Sequence, residues 1–454
     1  MNTNRTLNEV DNPQVPSAVS RHVPELTPVN RLPVDRPEKP RPMNILIIGL
    51  NYLPESTSIG PYTADLAEYL LDRGHHVRVV TGFPTAPQWK VWNGYEGKIF
   101  MREVIRGVPV VRTYLYVPKN PKNAWQRILF DCSFAVSALI GAMLGKRPEL
   151  VIEISPPLQL SITAFLIHTL TRARVFLEIK DLVPDAAIAV GALREGSRAV
   201  RIAQALERFA YRTAESIGVI CEGMRTNLIA KGVPEQKVSL LPDYIDVTFM
   251  KPVLGQNDFR RRTGIAKDAF LVAYSGSVAG KQGLETFVKA GSEFEADPKV
   301  TCCVIGEGPY LPELKNTATG LGLRRFQFLP LQPRETLPAQ LSAVDVLVIT
   351  QRRAVCDIVF PGKLLYYMSA GRPILASVNE DSETGRFIRK HEVGLVVPPE
   401  DPTLMAEAIR WMKSHPDELR QFGLNGRRMA ETQFDRDVVL EKFAAHIEKR
   451  VVKP

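Results

Sequence analysis

The chain has little cysteine chemistry. Its five cysteines, Cys132, Cys221, Cys302, Cys303 and Cys356, form no CxxC pair. That argues against a zinc site and leaves them as small buried hydrophobes in a reducing compartment, with adjacent Cys302 and Cys303 on opposite faces of a strand. GxSxG, HExxH, the protein-kinase set and the GxxxxGK[ST] phosphate loop are all missing. No DxD motif offers a metal site, and Asp243 and Asp246 read as linker. No apolar run reaches the roughly 18–20 residues that span a bilayer; the nearest is Cys132 to Leu144. Residues 1–42 lack the apolar core of a secretory leader and are rich in proline, so a disordered tail is expected there. The net charge is +9, yet no basic run is interleaved with aromatics. This balance favours phosphorylated substrates or acidic lipids over nucleic acid.

What is present is a long, ordinary globular composition: 454 residues, 45% hydrophobic and 24% charged, too long for one core. After residue 43, strand-like runs (44–49, 77–81, 150–154, 174–179, 217–220) alternate with helical ones (62–72, 125–144, 158–170, 198–213). The plan repeats after Pro252, with strands expected at 270–275, 300–305, 326–329, 345–349, 373–377 and 394–397. Such alternation predicts an α/β fold with parallel sheets covered on both sides. The expected division is a tail 1–42, a first Rossmann-like domain 43–250, a second 251–435, and a last helix within 436–454 that could cross back onto the first domain. The stretch 125–147, apolar and flanked by Trp125, Lys146 and Arg147, is either a helix lying in a membrane interface or a core helix beside the sheet. Pro156 to Leu170 reads as core.

Ligands of parallel α/β sheets bind beyond the carboxyl ends of the strands. Gly60 precedes Pro61 at a helix start, where free N–H groups and the helix dipole favour an anion. Ser275-Gly276-Ser277 running to Lys281-Gln282-Gly283 is a glycine-rich turn with a mobile cation, suited to the charge on a departing diphosphate. Gly306, Glu307 and Gly308 end another strand and suit a nucleoside, although a plain turn explains them equally. Lys363 opens a helix, where a cation opposes the dipole; a ligand anion would account for it. Glu178 and Asp181 end a strand and are candidates for orienting an acceptor hydroxyl. The pair His75-His76 reads as structural.

Together, Asn51-Tyr52-Leu53-Pro54-Glu55 with Gly60, Gly74-His75-His76-Val77, the run Glu178 to Asp185, Tyr274-Ser275-Gly276, Lys281-Gln282-Gly283, Ile305 to Pro309 and Pro361-Gly362-Lys363 through Gly371-Arg372-Pro373 resemble glycosyltransferase family 4. Within it they are similar to the colanic acid biosynthesis fucosyltransferase group. The resemblance implies a GT-B fold, two Rossmann-like domains facing across a cleft. It also implies retaining, metal-independent transfer from a nucleotide sugar, GDP- or UDP-linked. Lys281 would bind the diphosphate, the Gly60 loop would lie near phosphates and acceptor, and Glu307 and Gly308 near the nucleoside. Many members carry a Glu-x7-Glu motif; here Tyr366 stands at the second Glu and Asp357-Ile358 near the first, while Ser277 lies near the place of a common Arg. Asp181 stands in for the usual acceptor-domain His. The basic balance and the 125–147 segment suggest a lipid-linked acceptor, such as a saccharide on undecaprenyl diphosphate, at the cytoplasmic face of the inner membrane, for exopolysaccharide or O-antigen synthesis. No cofactor or metal is expected. Two alternatives stand beside this reading: a sugar-nucleotide 2-epimerase of the same fold, and a non-catalytic sugar-nucleotide-binding scaffold.

Overall fold

The computed structural model describes residues 41–55, 59–121, 123–189, 194–253, 258–354 and 361–451. The proposed tail, apart from its last residues, and the Asp357-Ile358 position lie outside them. The first sheet has eight strands: β1 (Asn44–Ile48), β2 (His76–Gly82), β3 (Phe100–Ile105), β4 (Val108–Thr113), β5 (Leu150–Ser155), β6 (Arg174–Ile179), β7 (Ser216–Val219) and β8 (Val238–Leu240), in the order β3-β4-β2-β1-β5-β6-β7-β8. All neighbours are parallel except the β3–β4 hairpin. The second sheet is wholly parallel: β9 (Phe270–Ser275), β10 (Val300–Ile305), β11 (Gln327–Leu329), β12 (Val346–Thr350), β13 (Ile374–Ser377) and β14 (Gly394–Val397), ordered β11-β10-β9-β12-β13-β14. Strand order reverses between β1 and β5 in the first sheet and between β9 and β12 in the second. Those two switch points are where such sheets hold ligands.

Helices cover both faces. On one side of the first sheet, α1 (Gly60–Asp72) buries Ala64, Leu66 and Leu70 against β1 and β2. On the other, α2 (Ala124–Met143), α3 (Leu160–Thr171) and α5 (Arg198–Thr213) bury Phe134, Ile167 and Tyr211, with the short α4 (Val183–Ala189) between α3 and α5 in sequence. Strand β10 is buried throughout and sends Cys302 and Cys303 to opposite faces. Burial pushes the Cys302 thiol up to about 12, so these are packing residues.

The C-terminal helix Arg436–Val451 does return to the first sheet. It buries Val439, Leu440, Phe443 and Ile447 beside α1, with the Phe443 ring 5.1 Å from Phe176; full burial of such side chains is worth roughly 1.5–3 kcal/mol each. Arg73 and His75 both bind Glu448 across this contact, at 2.8 and 3.0 Å. His75 Nδ1 accepts the Met43 N–H, which leaves Nε2 as the donor to Glu448, a structural role.

Two expectations need correction. The helix α2 is 20 residues, long and apolar enough by length and composition to cross a membrane; its extent matches the expected 125–144, but the apolar run counted only from Cys132 was too short. One face is nevertheless packed on the sheet through Phe130, Phe134 and Ala138. The 156–170 stretch is core on one side only: Ile162, Phe165, Leu166 and Leu170 of α3 are exposed.

Candidate functional site

The glycine-rich turn after β9 is built by backbone zipping. Gly276 N–H donates to Ile305 O at 2.9 Å and Val278 N–H to Glu307 O at 2.8 Å. A Cβ on Gly306 would stand 1.9 Å from Gly276 O, and one on Gly308 2.0 Å from Val278 O. The missing side chains of Gly306 and Gly308 therefore face the neighbouring loop, which explains both glycines without a nucleobase. Glu307 is exposed, and its carbonyl serves this zipper. Changing Gly306 to Ala should force the loops apart and cost about 2–4 kcal/mol, read as a drop of several degrees in thermal unfolding. Gly320, with nothing within 4 Å of a built Cβ, is the control in which alanine should be neutral.

Beyond the zipper the chain makes a tight turn, Gly280–Gln282. Gln282 is turned inward, its side-chain oxygen accepting the Ala279 N–H at 2.7 Å. Arg352, just past β12, clamps the turn from the other side of the switch point. Its Nε donates to Gly280 O at 2.6 Å and its backbone N–H to Lys281 O at 3.1 Å. The guanidinium is held by Glu285, which Tyr310 also contacts. Sequence reading missed Arg352; its one signal was its place at the carboxyl end of a strand. Ser275 is tied down as well, its Oγ accepting from Gln340 at 2.8 Å and its N–H donating to the Tyr367 hydroxyl at 3.1 Å. Ser277 is exposed, and its carbonyl accepts the Tyr274 hydroxyl.

This clamping leaves two cations at the turn. Lys281 is exposed. Lys363 stands in the first turn of the helix Gly362–Ser369, which has no side-chain N-cap. Its stem lies over the floor made by Gly276, where an added Cβ would sit 2.6 Å from Lys363 Cε, and its Nζ is 5.0 Å from the Tyr274 ring centre. Burial, then the nearby charge of Lys281, lowers Lys363 to about 8. Among the described residues neither lysine has an ion-pair partner. Like charges held together, with no ion-pair partner among the described residues, suit an anion.

The first domain brings its own residues to this place. Asp181 follows β6 and feels the charge of Lys281 across the cleft. Burial raises its carboxyl above the usual range, opposed by Lys281 and the Leu182 N–H. Its Oδ1 is buried with no hydrogen-bond partner among the described residues, and a buried acceptor of that kind calls for a donor from outside. Glu178 is placed differently. It is 5% exposed and bound to Lys180 at 2.6 Å, which also holds Asp243 at 2.9 Å. Burial opposes the charge on Lys180, yet Asp243 and Glu178 together hold it well above the ordinary lysine range. Asp243 is thus part of a buried ion network, not plain linker, and Glu178 is engaged inside the first domain.

Gly60 opens α1, which also lacks a side-chain cap, and an added Cβ would stand 3.0 Å from Glu55 O. The tight entry is held by Glu55, whose Oε1 accepts the N–H groups of Thr85 and Ala86 at 2.7 Å, while Asn51 donates to Oε2 at 2.9 Å. Tyr366 is half-buried and lies within electrostatic reach of Tyr62 on α1. It therefore belongs to the contact between the domains. Among the described residues no group of three His, Cys, Asp or Glu is placed to hold a metal ion.

Comparison with known proteins agrees with this layout. The family described as glycosyl transferase 4-like domain matches residues 57–243, and glycosyl transferases group 1 matches residues 255–429. The colanic acid biosynthesis glycosyl transferase WcaI of Escherichia coli K12 is 31% identical over 409 residues, covering 88% of this chain and 98% of its own. Sucrose-phosphate synthase from Thermosynechococcus elongatus superposes with a TM-score of 0.69 at 17% identity, covering 90% of this chain and 99% of that one. HepE of Anabaena, solved with UDP, superposes at 0.68 with 16% identity, covering 90% and 100%. The chain belongs to the family 4 glycosyltransferases and has their GT-B fold.

Proposed function

We propose that this glycosyltransferase moves a sugar from a GDP- or UDP-linked donor, with retention and without a metal, to a lipid-linked saccharide in exopolysaccharide or O-antigen synthesis. The observation that carries the reading is the pair Lys281 and Lys363, adjacent and without an ion-pair partner among the described residues, opposite the unpartnered Oδ1 of Asp181. A diphosphate would neutralise both lysines as its charge grows in the transition state. The bond from the anomeric carbon to the diphosphate oxygen breaks, the acceptor oxygen bonds to that carbon on the same face, and the acceptor proton passes to the departing oxygen. Asp181 orients the acceptor hydroxyl once its side chain turns Oδ1 out of its buried position. Glu178 acts at one remove, holding Lys180 and Asp243 so that the end of β6 stays in place. The UDP bound by HepE and the colanic acid role in the name of WcaI support the donor and pathway classes.

Thermal shift against GDP, UDP, dTDP and ADP, each with and without magnesium, tests the donor half. One nucleotide should raise the unfolding midpoint by several degrees, equally in both conditions, as binding to the folded state alone requires. A shift that needs magnesium would overturn the metal-independent reading, and no shift from any nucleotide would overturn the diphosphate site.

A further inference from the structure

We infer that the outer face of α2, α3 and α5 is a docking surface for an anionic phospholipid membrane. The inference deepens the lipid-linked-acceptor reading and rests on that reading for its purpose, but its observations are separate. On α2 the exposed apolar residues fall at helical spacing along one stripe: Trp125, Ile128 and Leu129, then Val136, Ile140 and Met143. On the neighbouring α3 a second stripe exposes Ile162, Phe165, Leu166 and Leu170. Phe165 packs edge-on against Phe209 of α5, ring centres 5.3 Å apart, and α5 adds Ile202, which is 70% exposed. The stripes lie on neighbouring helices, α2 beside α3 and α3 beside α5, whose opposite faces form the core. An apolar surface of this extent marks an interaction site.

Charge chooses the occupant. Every exposed arginine, lysine, aspartate or glutamate on these three helices is an arginine: Arg127, Arg198, Arg201, Arg208 and Arg212. The two acids they carry are withdrawn, Asp131 half-buried and Glu207 buried under Lys231. Lys146 and Arg147 follow the end of α2. Aliphatic side chains, an exposed tryptophan and exposed helix charges that are all positive, with the acids Glu195 and Glu215 exposed just beyond the ends of α5, match a bilayer interface with anionic headgroups. A second copy of the chain would bring the same positive border against itself. The buried face of α2 fixes the mode as lying on the membrane, not crossing it. Both α2 and α3 begin at the carboxyl edge of the sheet, the edge that carries Asp181. A membrane along the stripes therefore runs up to the cleft, where an acceptor held by its lipid could enter.

Co-flotation of the full chain with vesicles tests this. The wild type should float with phosphatidylglycerol-containing vesicles and much less with pure phosphatidylcholine. The double change Ile140→Glu/Leu170→Glu, at exposed positions, should lower flotation at least about tenfold with an unchanged unfolding midpoint. Arg201→Glu/Arg208→Glu should lose about tenfold on anionic vesicles only. Wild type that stays unbound on both compositions, Ile140→Glu/Leu170→Glu protein that floats normally, or light scattering that finds a dimer split by that change would each overturn the inference. Donor hydrolysis in solution is read on the same samples. Hydrolysis kept by protein that no longer floats supports docking as separate from chemistry. Wild type that floats but never hydrolyses donor would leave docking intact and count against the transferase reading instead.

Discussion

Alanine in place of Lys281 lowers turnover about 100- to 1,000-fold and leaves the fold intact. The size follows from the cost of removing one preorganised group that meets developing negative charge. The side chain is exposed, so its loss removes little packing. The turn that carries it is fixed by others: Gln282 on Ala279 N–H, and Arg352 on Gly280 O and Lys281 O. The backbone therefore keeps its shape in the variant. Donor hydrolysis without acceptor is the cleanest measurement, because it needs the leaving group stabilised but no acceptor bound. The drop should fall mainly on kcat, since Lys363 still supplies ground-state attraction to the diphosphate. Wild-type turnover in Lys281→Ala would remove the phosphate assignment, whatever the nucleotide shifts show.

The sequence made the layers readable, and it made some site residues readable for the wrong reason. Alternating buried runs and amphipathic helices identify parallel sheets because both faces of such strands must be apolar, as in β5 and β10, where every residue is buried. The β3–β4 hairpin escaped because its turn, Arg106-Gly107, places Arg106 at φ 48°, a conformation that the residue type does not advertise. Lys363 was legible because a cation in the first turn of a helix conflicts with the dipole. Gly306 and Gly308 read equally as a nucleoside loop or a plain turn; their need for glycine comes from the carbonyls of Gly276 and Val278, which the local sequence does not announce. Glu178 and Asp181 looked alike at the end of one strand. What separates them is Asp243, which holds Lys180 from 63 residues away and draws Glu178 into its network. Such distant pairings leave no local pattern, and Arg352 was missed for the same reason.

Raising the pH through about 8 weakens nucleoside diphosphate binding, by up to tenfold per pH unit, until Lys363 is deprotonated in the complex as well. Burial and the charge of Lys281 lower the free-enzyme pKa of Lys363 to about 8. Below that value the ammonium is present before the ligand arrives. Above it the free enzyme is neutral at this position, and binding must take up a proton, because a bound diphosphate favours the charged form. The ligand's own last ionisation, near roughly 6, is complete by then and adds no slope. The apo protein should respond in the opposite sense. A lysine whose folded pKa lies below its unfolded value penalises the fold while both states are charged, below about 8. That penalty is relieved as pH rises toward the unfolded pKa, because the unfolded chain then binds more protons. Apo stability from this group therefore rises over the interval in which affinity falls. In Lys363→Ala the affinity should be about 10- to 100-fold weaker at neutral pH, the cost of a lost charge-assisted contact, and flat across pH 8. Isothermal titration in buffers of different ionisation enthalpy reads the proton uptake directly. Wild-type binding that releases no buffer protons above pH 8, or a Lys363→Ala profile that still bends there, would assign the titration to another group and leave Lys363 outside the diphosphate site.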